Sequence, residues 1–386
     1  RMKYYDVLVL GAGIVGASTA LYLQAAGRSV ALIDRSEPIS ETSYGNAGLI
    51  QREAVVPYSF PRDWGKLFNY AFNRLPEANL HWSAVPSLIP FLYRYWRQST
   101  PERAAATARA LKPLVERSVA EHEALAQRAG TMHFLRRTGF LLLYRDPAKL
   151  AAQLQEEEIA AQRYGVVYAA KTAAEVRAME PGVTGDFAGA IHMPQAVGTG
   201  DPGTVGRAYV RLFQDGGGDV LTGDANELSP DGGGWVMQSA GLRGRDVVLA
   251  LGPWTGAIAR RLGFFLPMGV KRGYHMRYAA RDGAPLTRTV IDKDYGCAIT
   301  PEPPGSIRVT TGAEFARLDA APTPVQLAKA EPALRAAFPL GERLMAKPWV
   351  GARPCFPDLL PAIGPVPGLR GLWVNAGHQH LGFTLG

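Results

Sequence analysis

Three glycines near the start of the 386-residue chain have the spacing of a phosphate-binding turn. Gly11, Gly13 and Gly16 form the pattern G-x-G-x-x-G between the apolar run "YYDVLVL" and a segment of helical composition. In this pattern the first glycine permits a tight turn, the second lets the backbone approach a pyrophosphate, and the third lets helix and strand pack closely. The phosphates then lie at the positive N-terminal end of the helix.

An acidic residue at a suitable distance strengthens this interpretation. Asp34 stands at the end of a second apolar run, "SVALID", about 20 residues after the glycines, where a carboxylate can accept hydrogen bonds from a ribose. Both NAD and FAD fit such a β-α-β unit. In a plain NAD domain we would expect another helix and strand soon, but the small-residue loop "ETSYGNAG" follows instead. Its amides and hydroxyls could line a phosphate chain and a flavin, which favours FAD over NAD.

Two further segments near the end of the chain carry residues suited to binding. "GARPCFPDLLPAIGP" contains Arg353, and "NAGHQHLGFT" is a second glycine-rich loop that follows a short apolar strand. A planar guanidinium is the natural bidentate partner of a carboxylate. An ion-paired surface arginine is the alternative interpretation of Arg353.

Taken together, these segments resemble the FAD-dependent amino-acid oxidoreductases of the D-amino-acid oxidase superfamily, and among them bacterial D-amino-acid dehydrogenases. The glycine pattern, the acidic end of the second strand and "ETSYGNAG" carry the resemblance. "LTGDANEL", "VVLALGPWT", the Arg-Pro segment and the final loop extend it over most of the chain in the same order. In the family a helix follows the final loop, and this sequence ends before it.

The resemblance implies FAD as the cofactor, held without a covalent bond. Cys355 follows Arg353 closely, but at a different offset from the cysteine that bonds flavin in sarcosine oxidase, and we interpret it as a small buried thiol. The residues that the pattern and the resemblance together assign to FAD are Gly11, Gly13, Ile14, Val15, Gly16, Asp34, Arg35, Ser36, Thr42, Ser43, Asn46, Ala47, Gly48, Ala225, Ala250, Gly252, Gly377, His378, Gly382, Phe383 and Thr384.

The resemblance also implies a substrate site. Arg353 matches the arginine that binds the substrate's carboxylate. Tyr274 and His275 lie on a predicted strand whose alternation sends them to opposite faces, so we expect only one of them to face the pocket. Tyr295 lies near the place of a substrate tyrosine in relatives, and His380 stands where glycine oxidase has an arginine. Packing or surface roles are the alternatives for these four residues.

The activity implied by the resemblance is oxidative deamination of a D-amino acid. Hydride transfer to the flavin gives an imino acid, which hydrolyses to a keto acid and ammonia. The alternatives are oxidation of a secondary amine of the glycine, sarcosine or hydroxyproline type, and an FAD subunit of a multi-subunit amine dehydrogenase. An NAD-dependent dehydrogenase is a further alternative. The electron acceptor is left open between a quinone, a carrier protein and oxygen.

The order of elements predicts an α/β protein. We expect a Rossmann-type FAD-binding domain, interleaved with an α+β substrate (cap) domain built on an antiparallel sheet. Apolar strands like those of the first unit return in "DVVLALG" and "GLWVNAG", whereas "GYHMRYAA", "CAITPE" and "IRVTTGAEF" alternate like antiparallel strands. The predicted FAD-binding domain comprises residues 1–80, 200–262 and 345–386, and the substrate domain comprises residues 81–199 and 263–344.

The amino-acid composition and net charge limit the kinds of binding partner that we expect. The net charge of +8 suits acidic small molecules or weak contact with an anionic membrane, but no basic block interleaved with aromatics suggests nucleic acid. Two cysteines and no zinc-ligand spacing predict no metal site and a reducing, cytoplasmic location. The sequence contains no run of about 20 apolar residues. "LHWSAVPSLIPFLYRYW" could touch the inner face of the cytoplasmic membrane peripherally, or form part of the cap's core.

Overall fold

The protein is described by a computed structural model that covers residues 2–281 and 286–386. Its helices are α1 (Ile14–Ala25), α2 (Trp64–Ala71), α3 (Val85–Gln98), α4 (Pro101–Arg128), α5 (Pro147–Tyr164), α6 (Ala173–Met179), α7 (Pro202–Asp215), α8 (Thr255–Arg261) and α9 (Val325–Ala337). Its strands are β1 (Lys3–Leu10), β2 (Val30–Asp34), β3 (Leu49–Ile50), β4 (Ala78–Leu80), β5 (Leu135–Arg136), β6 (Phe140–Tyr144), β7 (Ala169–Thr172), β8 (Gly189–Met193), β9 (Val197–Thr199), β10 (Asp219–Thr222), β11 (Leu228–Asp231), β12 (Gly234–Met237), β13 (Leu242–Leu249), β14 (Gly269–Ala280), β15 (Thr289–Asp292), β16 (Cys297–Glu302), β17 (Ser306–Thr310), β18 (Ala313–Phe315), β19 (Leu340–Arg343), β20 (Trp349–Cys355), β21 (Ala362–Pro365) and β22 (Leu372–Ala376).

A parallel sheet forms the first half of the architecture. Its central order is β10-β2-β1-β13, with β22 parallel to β13 and an antiparallel extension through β12 and β11. The inner strands are apolar on both faces because helices α1 and α7 cover one side and α8 covers the other. The predicted Rossmann-type α/β arrangement is therefore confirmed.

A larger, mostly antiparallel sheet forms the second half. Its order is β4-β18-β14-β17-β16-β15-β6-β8-β7, and β19 and β20 also pair with β14. The 12-residue strand β14 is the centre of this sheet, because it pairs with β17 and β18 at one edge and with β19 and β20 at the other. The α+β cap predicted from the sequence is thus present and interleaved with the first unit.

The hydrogen bonding crosses the domain boundaries predicted from the sequence. β4 and β20 fall inside the predicted FAD-binding segments 1–80 and 345–386, yet both pair with strands of the antiparallel sheet. After β20 the chain returns to the first sheet through β21 and β22. We propose that β4 and β20 belong to the substrate domain, with β20 as the strand that joins the two sheets.

The glycine turn between β1 and α1 is fixed by close backbone approach. Gly11 has φ +104°, and a Cβ there would lie 2.3 Å from the carbonyl oxygen of Ala250. A Cβ on Gly16 would lie 1.7 Å from the carbonyl oxygen of Gly11. Ser43 Oγ accepts the Ile14 amide at 3.0 Å and so caps the start of α1. These contacts hold the start of α1 against the loop that contains Ser43.

The apolar stretch "LHWSAVPSLIPFLYRYW" is divided between core and surface. Most of it forms α3, which continues through Pro90 and buries Leu88, Phe91 and Tyr95 while Ile89 and Tyr93 are exposed. Part of the stretch therefore belongs to the core, as one of the two interpretations expected, and part is exposed. None of the helices in the described ranges is long and apolar enough to cross a membrane.

We expect Gly16→Ala to lower the free energy of unfolding by about 1–3 kcal/mol, because the added methyl group has no space beside Gly11. The matched control is Gly198→Ala, since a Cβ at Gly198 meets no atom within 4 Å. Thermal or urea unfolding of the two variants tests this. Equal stability of the two would contradict the packing described for the turn.

Candidate active site

One large cavity connects the glycine turn to the antiparallel sheet. Its volume is about 1580 Å³, and its wall runs from Gly13 and Asp34 at one end to Arg353 and His380 at the other. Small-molecule sites usually have volumes of roughly 300–1,000 Å³. The cavity therefore has room for a dinucleotide together with a second, smaller ligand.

Most residues assigned to FAD from the sequence lie on this wall. The Asp34 carboxylate accepts the amide of Ala12 at 2.7 Å and that of Ser36 at 3.1 Å, which fixes its orientation beside the glycine turn. The predicted FAD residues that line the cavity are Gly11, Gly13, Ile14, Val15, Asp34, Arg35, Thr42, Ser43, Asn46, Ala47, Ala225, Ala250, Gly252, His378, Gly382 and Phe383.

The other predicted FAD residues do not line the cavity, but some of them hold segments that do. Thr384 Oγ1 accepts the amide of Gln51 at 3.1 Å and donates to the carbonyl of Leu49 at 3.2 Å, so it holds the final loop against β3. Gly377 has φ +84° and packs against the ring of Phe356, where a Cβ would lie 2.1 Å from a ring carbon. The residues in this group are Gly16, Ser36, Gly48, Gly377 and Thr384.

The wall fits a bound FAD. The backbone approaches so closely at Gly11 that no side chain could occupy the turn, which leaves the N-terminus of α1 free for phosphates. Elsewhere on the wall, Asn375 Oδ1 and His378 Nε2 are buried without a hydrogen-bond partner among residues 2–281 and 286–386. Burial lowers the pKa of His378 to about 4, so its imidazole is neutral near pH 7. The unpaired Asn375 and His378 atoms could form hydrogen bonds with the polar edge of a flavin ring.

Arg353 is an arginine on the cavity wall that is held by backbone carbonyls. Its Nη1 donates to the carbonyl of Gly312 at 2.9 Å, and its Nη2 donates to that of Thr311 at 3.1 Å. In the described part of the chain, no carboxylate lies within 4.0 Å of the guanidinium. Burial lowers its pKa, although an arginine remains charged at neutral pH. The alternative of an ion-paired surface arginine does not hold.

The guanidinium of Arg353 packs against strand β14 at Gly273. A Cβ on Gly273 would lie 2.6 Å from Arg353 Nη2, so only glycine leaves space for the arginine in this position. Across from it, His380 lies in the cavity wall with its ring 4.9 Å from that of Tyr58, centroid to centroid. Burial, followed by the positive charges of Arg353 and Lys271, lowers the pKa of His380 to about 3. His380 is therefore a neutral polar group at this end.

Tyr274 and His275 do not lie on the cavity wall, contrary to the expectation that one of them would. The Tyr274 hydroxyl donates to Glu314 at 2.7 Å in a buried network on the opposite face of the sheet. His275 lies on the same face as the cavity, but its cross-strand partner Trp349 stacks on it at 4.8 Å and occupies the wall in its place. Alternation along β14 brings Lys271 and Gly273 to the cavity instead.

Tyr295 is also outside the cavity wall. It packs against the core of the cap, and the guanidinium of Arg145 lies 5.4 Å from the centroid of its ring. Its neighbours Lys293 and Gly296 face the cavity. The turn between β15 and β16 decides which residue faces inward, and no periodic pattern in the sequence reports that choice.

Several residues on the wall were not singled out from the sequence. Lys271 on β14 is the direct cross-strand partner of Arg353 on β20. Glu53 is buried, and its Oε2 has no hydrogen-bond partner among the described residues. Desolvation raises the pKa of Glu53 to about 7. The alternation of "GVKRGYH" could have indicated Lys271, whereas nothing in the local sequence marks Glu53.

Comparison with known proteins identifies the family. The family model of FAD dependent oxidoreductases, DAO, matches residues 6–386. The chain belongs to this family. The cavity that joins the glycine turn to Arg353 is thus the candidate active site of an FAD-dependent oxidoreductase.

Individual relatives agree with this assignment. A D-amino acid dehydrogenase of Xylella fastidiosa (strain M12) is 30% identical over 391 residues, covering 98% of this chain and 88% of that protein. A D-amino-acid oxidase of Bradyrhizobium diazoefficiens is 28% identical over 388 residues, covering 98% and 91%. The crystal structure of glycine oxidase from Geobacillus kaustophilus shares the fold, with a TM-score of 0.74, 22% identity and coverage of 99% and 91%.

We expect Glu53→Gln to stabilise the oxidoreductase at alkaline but not at acidic pH. The pKa of Glu53 is about 7 in the folded protein and ordinarily 4.5. Between these values the folded state holds a proton that the unfolded chain has lost, so the free energy of unfolding falls as the pH rises. Glutamine does not titrate, so the free energy of unfolding of the variant does not fall in this way. Relative to wild type, it rises by on the order of 3 kcal/mol between pH 4.5 and pH 8.

Urea unfolding at several pH values measures this difference. Glu156→Gln is the control, because Glu156 is an exposed carboxyl on the same cavity wall. If the curves of wild type and Glu53→Gln stay parallel across this pH range, Glu53 does not titrate as the structure implies.

Proposed function

We propose that the protein catalyses the FAD-dependent oxidative deamination of a D-amino acid. The observation that carries the proposal is the Arg353 guanidinium, which lines the same cavity as the glycine turn and has no carboxylate partner among the described residues. A desolvated guanidinium is costly unless it pairs with an anion. The carboxylate of an amino acid can accept two parallel hydrogen bonds from it. The names of the dehydrogenase and oxidase relatives favour the D-configuration.

Several residues of the chain position the substrate in this proposal. Arg353 binds the α-carboxylate from one side, and its backbone partners keep the guanidinium from turning away. Neutral His380 and the ring of Tyr58 enclose the reacting end, and Trp349 closes the wall. Such fixed positioning supplies much of the rate in reactions of this kind.

The chemistry itself divides between substrate and cofactor. The substrate amine must be unprotonated, because its lone pair forms the C=N bond as the Cα–H bond breaks. FAD, when bound, accepts the hydrogen together with both electrons of that bond. The imino acid then hydrolyses to a keto acid and ammonia.

The same proposal includes non-covalent FAD. Cys355 lines the cavity, but burial raises the pKa of its thiol, so little reactive thiolate is present near neutral pH. The electron acceptor is proposed to be a quinone, a carrier protein or oxygen. A dehydrogenase and an oxidase among the relatives keep these acceptors open.

The proposal is tested by anaerobic reduction of the bound flavin. We expect D-amino acids to bleach its absorbance, whereas L-amino acids and N-methylated amines leave it oxidised. Bleaching by N-methylated amines or glycine alone would favour the secondary-amine alternative. Bleaching only after addition of a partner protein would favour a subunit of a larger dehydrogenase. Air or a quinone dye, added afterwards, then distinguishes oxidase from dehydrogenase.

Two variants connect this result to Arg353. Arg353→Lys should lower kcat/KM for the reactive amino acid by about 10- to 100-fold, because an ammonium cannot make the paired hydrogen bonds of a guanidinium. Arg207→Lys, at an exposed position on α7, is the matched control. Equal kcat/KM values for the two variants would show that Arg353 does not bind the substrate.

We also propose peripheral contact with an anionic membrane. An aromatic surface of exposed rings on and around α2 and α3 supports this. Arginines lie over several of its rings, including Arg74 over Phe68 and Phe72 and Arg94 over Phe265. Aromatic rings and cations together suit the headgroup region of a bilayer. The aromatic surface comprises Trp64, Phe68, Phe72, Trp82, Tyr93 and Phe265.

Sedimentation with phosphatidylglycerol-containing vesicles tests this contact. We expect wild type to sediment with the vesicles at low salt and less so at high salt. The double variant Phe68→Ser/Phe72→Ser should bind about 10-fold more weakly or worse, because two rings no longer insert. Tyr4→Ser, which removes an exposed ring on β1, is the control. Wild type that stays in the supernatant at low salt would exclude the contact.

A further inference from the structure

Lys271 is a second cation at the substrate end of the cavity. The register of β14 and β20 pairs Lys271 directly with Arg353. Cross-strand partners of an antiparallel pair project to the same face, with their Cβ atoms roughly 4.5–5.5 Å apart. Both residues line the cavity. Two positive charges therefore lie side by side on one wall.

Neither cation is neutralised by the chain in residues 2–281 and 286–386. Lys271 Nζ donates to the Tyr95 hydroxyl at 3.2 Å, and it lies 4.3 Å from the centroid of that ring and 5.7 Å from that of Phe315. No carboxylate of those ranges lies within 4.0 Å of Lys271 or of Arg353. An aromatic cage orients an ammonium but leaves its charge in place.

The other cations of β14 differ in this respect. Arg272 pairs with Glu314 at 2.7 Å, and Arg277 pairs with Glu302 at 2.6 Å. The two carboxylates therefore neutralise arginines of β14 that do not line the cavity. Only the position that faces the cavity beside Arg353 keeps an unpaired charge among the described residues of β14.

Among the described residues, the carboxyl groups on the cavity wall do not form an ion pair with Lys271 or Arg353. Glu77 accepts the hydroxyl of Tyr70 at 2.9 Å, and burial raises the pKa of both Glu53 and Glu157. Like charges placed directly across a strand pair are destabilising. An anion with two negative groups would relieve the repulsion at both positions at once.

We propose that the substrate is a dicarboxylic amino acid, whose α-carboxylate binds Arg353 while its side-chain carboxylate binds Lys271. The proposal rests on the proposed function of this cavity in amino-acid oxidation. It names the substrate class as amino acids of the aspartate and glutamate type. Tyr95 and Phe315 hold the ammonium of Lys271 in place for the second carboxylate.

Anaerobic flavin reduction with matched pairs of amino acids tests the substrate class. D-aspartate is compared with D-asparagine, and D-glutamate with D-glutamine, because each pair differs in charge but hardly in shape. We expect at least one acid to be preferred over its amide by on the order of 10- to 100-fold in kcat/KM. In Lys271→Met this preference should fall to about one. Lys66→Met, which removes another cavity lysine lying over a tyrosine ring, should keep it.

Binding of unreactive acids separates this proposal from the proposed function. Succinate and butyrate are titrated into the FAD-loaded protein, and the flavin absorbance is followed. We expect succinate to bind more tightly than butyrate in wild type, and this difference to vanish in Lys271→Met. If amides reduce the flavin as well as acids do and succinate binds no better than butyrate, the dicarboxylate proposal is overturned while amino-acid oxidation stands. If no amine reduces the flavin but succinate is preferred, the two-cation site stands and the proposed oxidation fails.

Discussion

The proposed substrate site depends on one guanidinium that is held by backbone carbonyls and has no carboxylate partner in the described chain. Arg353 can lie flat against β14 only because residue 273 is glycine, and its donors are oriented by Thr311 and Gly312. Burying such a charge is costly unless a ligand anion completes its hydrogen bonds. This cost supports the proposal that Arg353 binds an anion.

The same arrangement explains how the two sheets cooperate. β20 pairs with β14 in the antiparallel sheet, and the chain then returns to the first sheet through β21 and β22. The parallel sheet places the glycine turn and Asp34 at one end of the cavity, and the antiparallel sheet places Arg353 and Lys271 at the other. In the proposed function, dinucleotide binding and substrate binding thus depend on different sheets that line one cavity.

The sequence predicted those features that depend on local pattern. The glycine turn, the acidic end of β2 and the interleaved α/β and antiparallel units follow from spacing and alternation, and the structure contains them. Which side chains of β14 line the cavity depends on its pairing with β20, so Lys271 and Gly273 lie on the wall and neither Tyr274 nor His275 does, contrary to the expectation that one of them would. The cross-sheet pairing of β4 and β20 is likewise non-local, and the buried position of Glu53 depends on packing that no short pattern records.

The most direct test of the central claim is a crystal structure of the FAD-loaded protein with 2-aminoisobutyrate, an amino acid that cannot react because its Cα carries no hydrogen. We expect both carboxylate oxygens to lie about 2.7–2.9 Å from the two terminal nitrogens of Arg353, with the amine toward the flavin. A ligand bound elsewhere in the cavity, or an acidic side chain of the protein paired with Arg353 while the ligand is present, would contradict it.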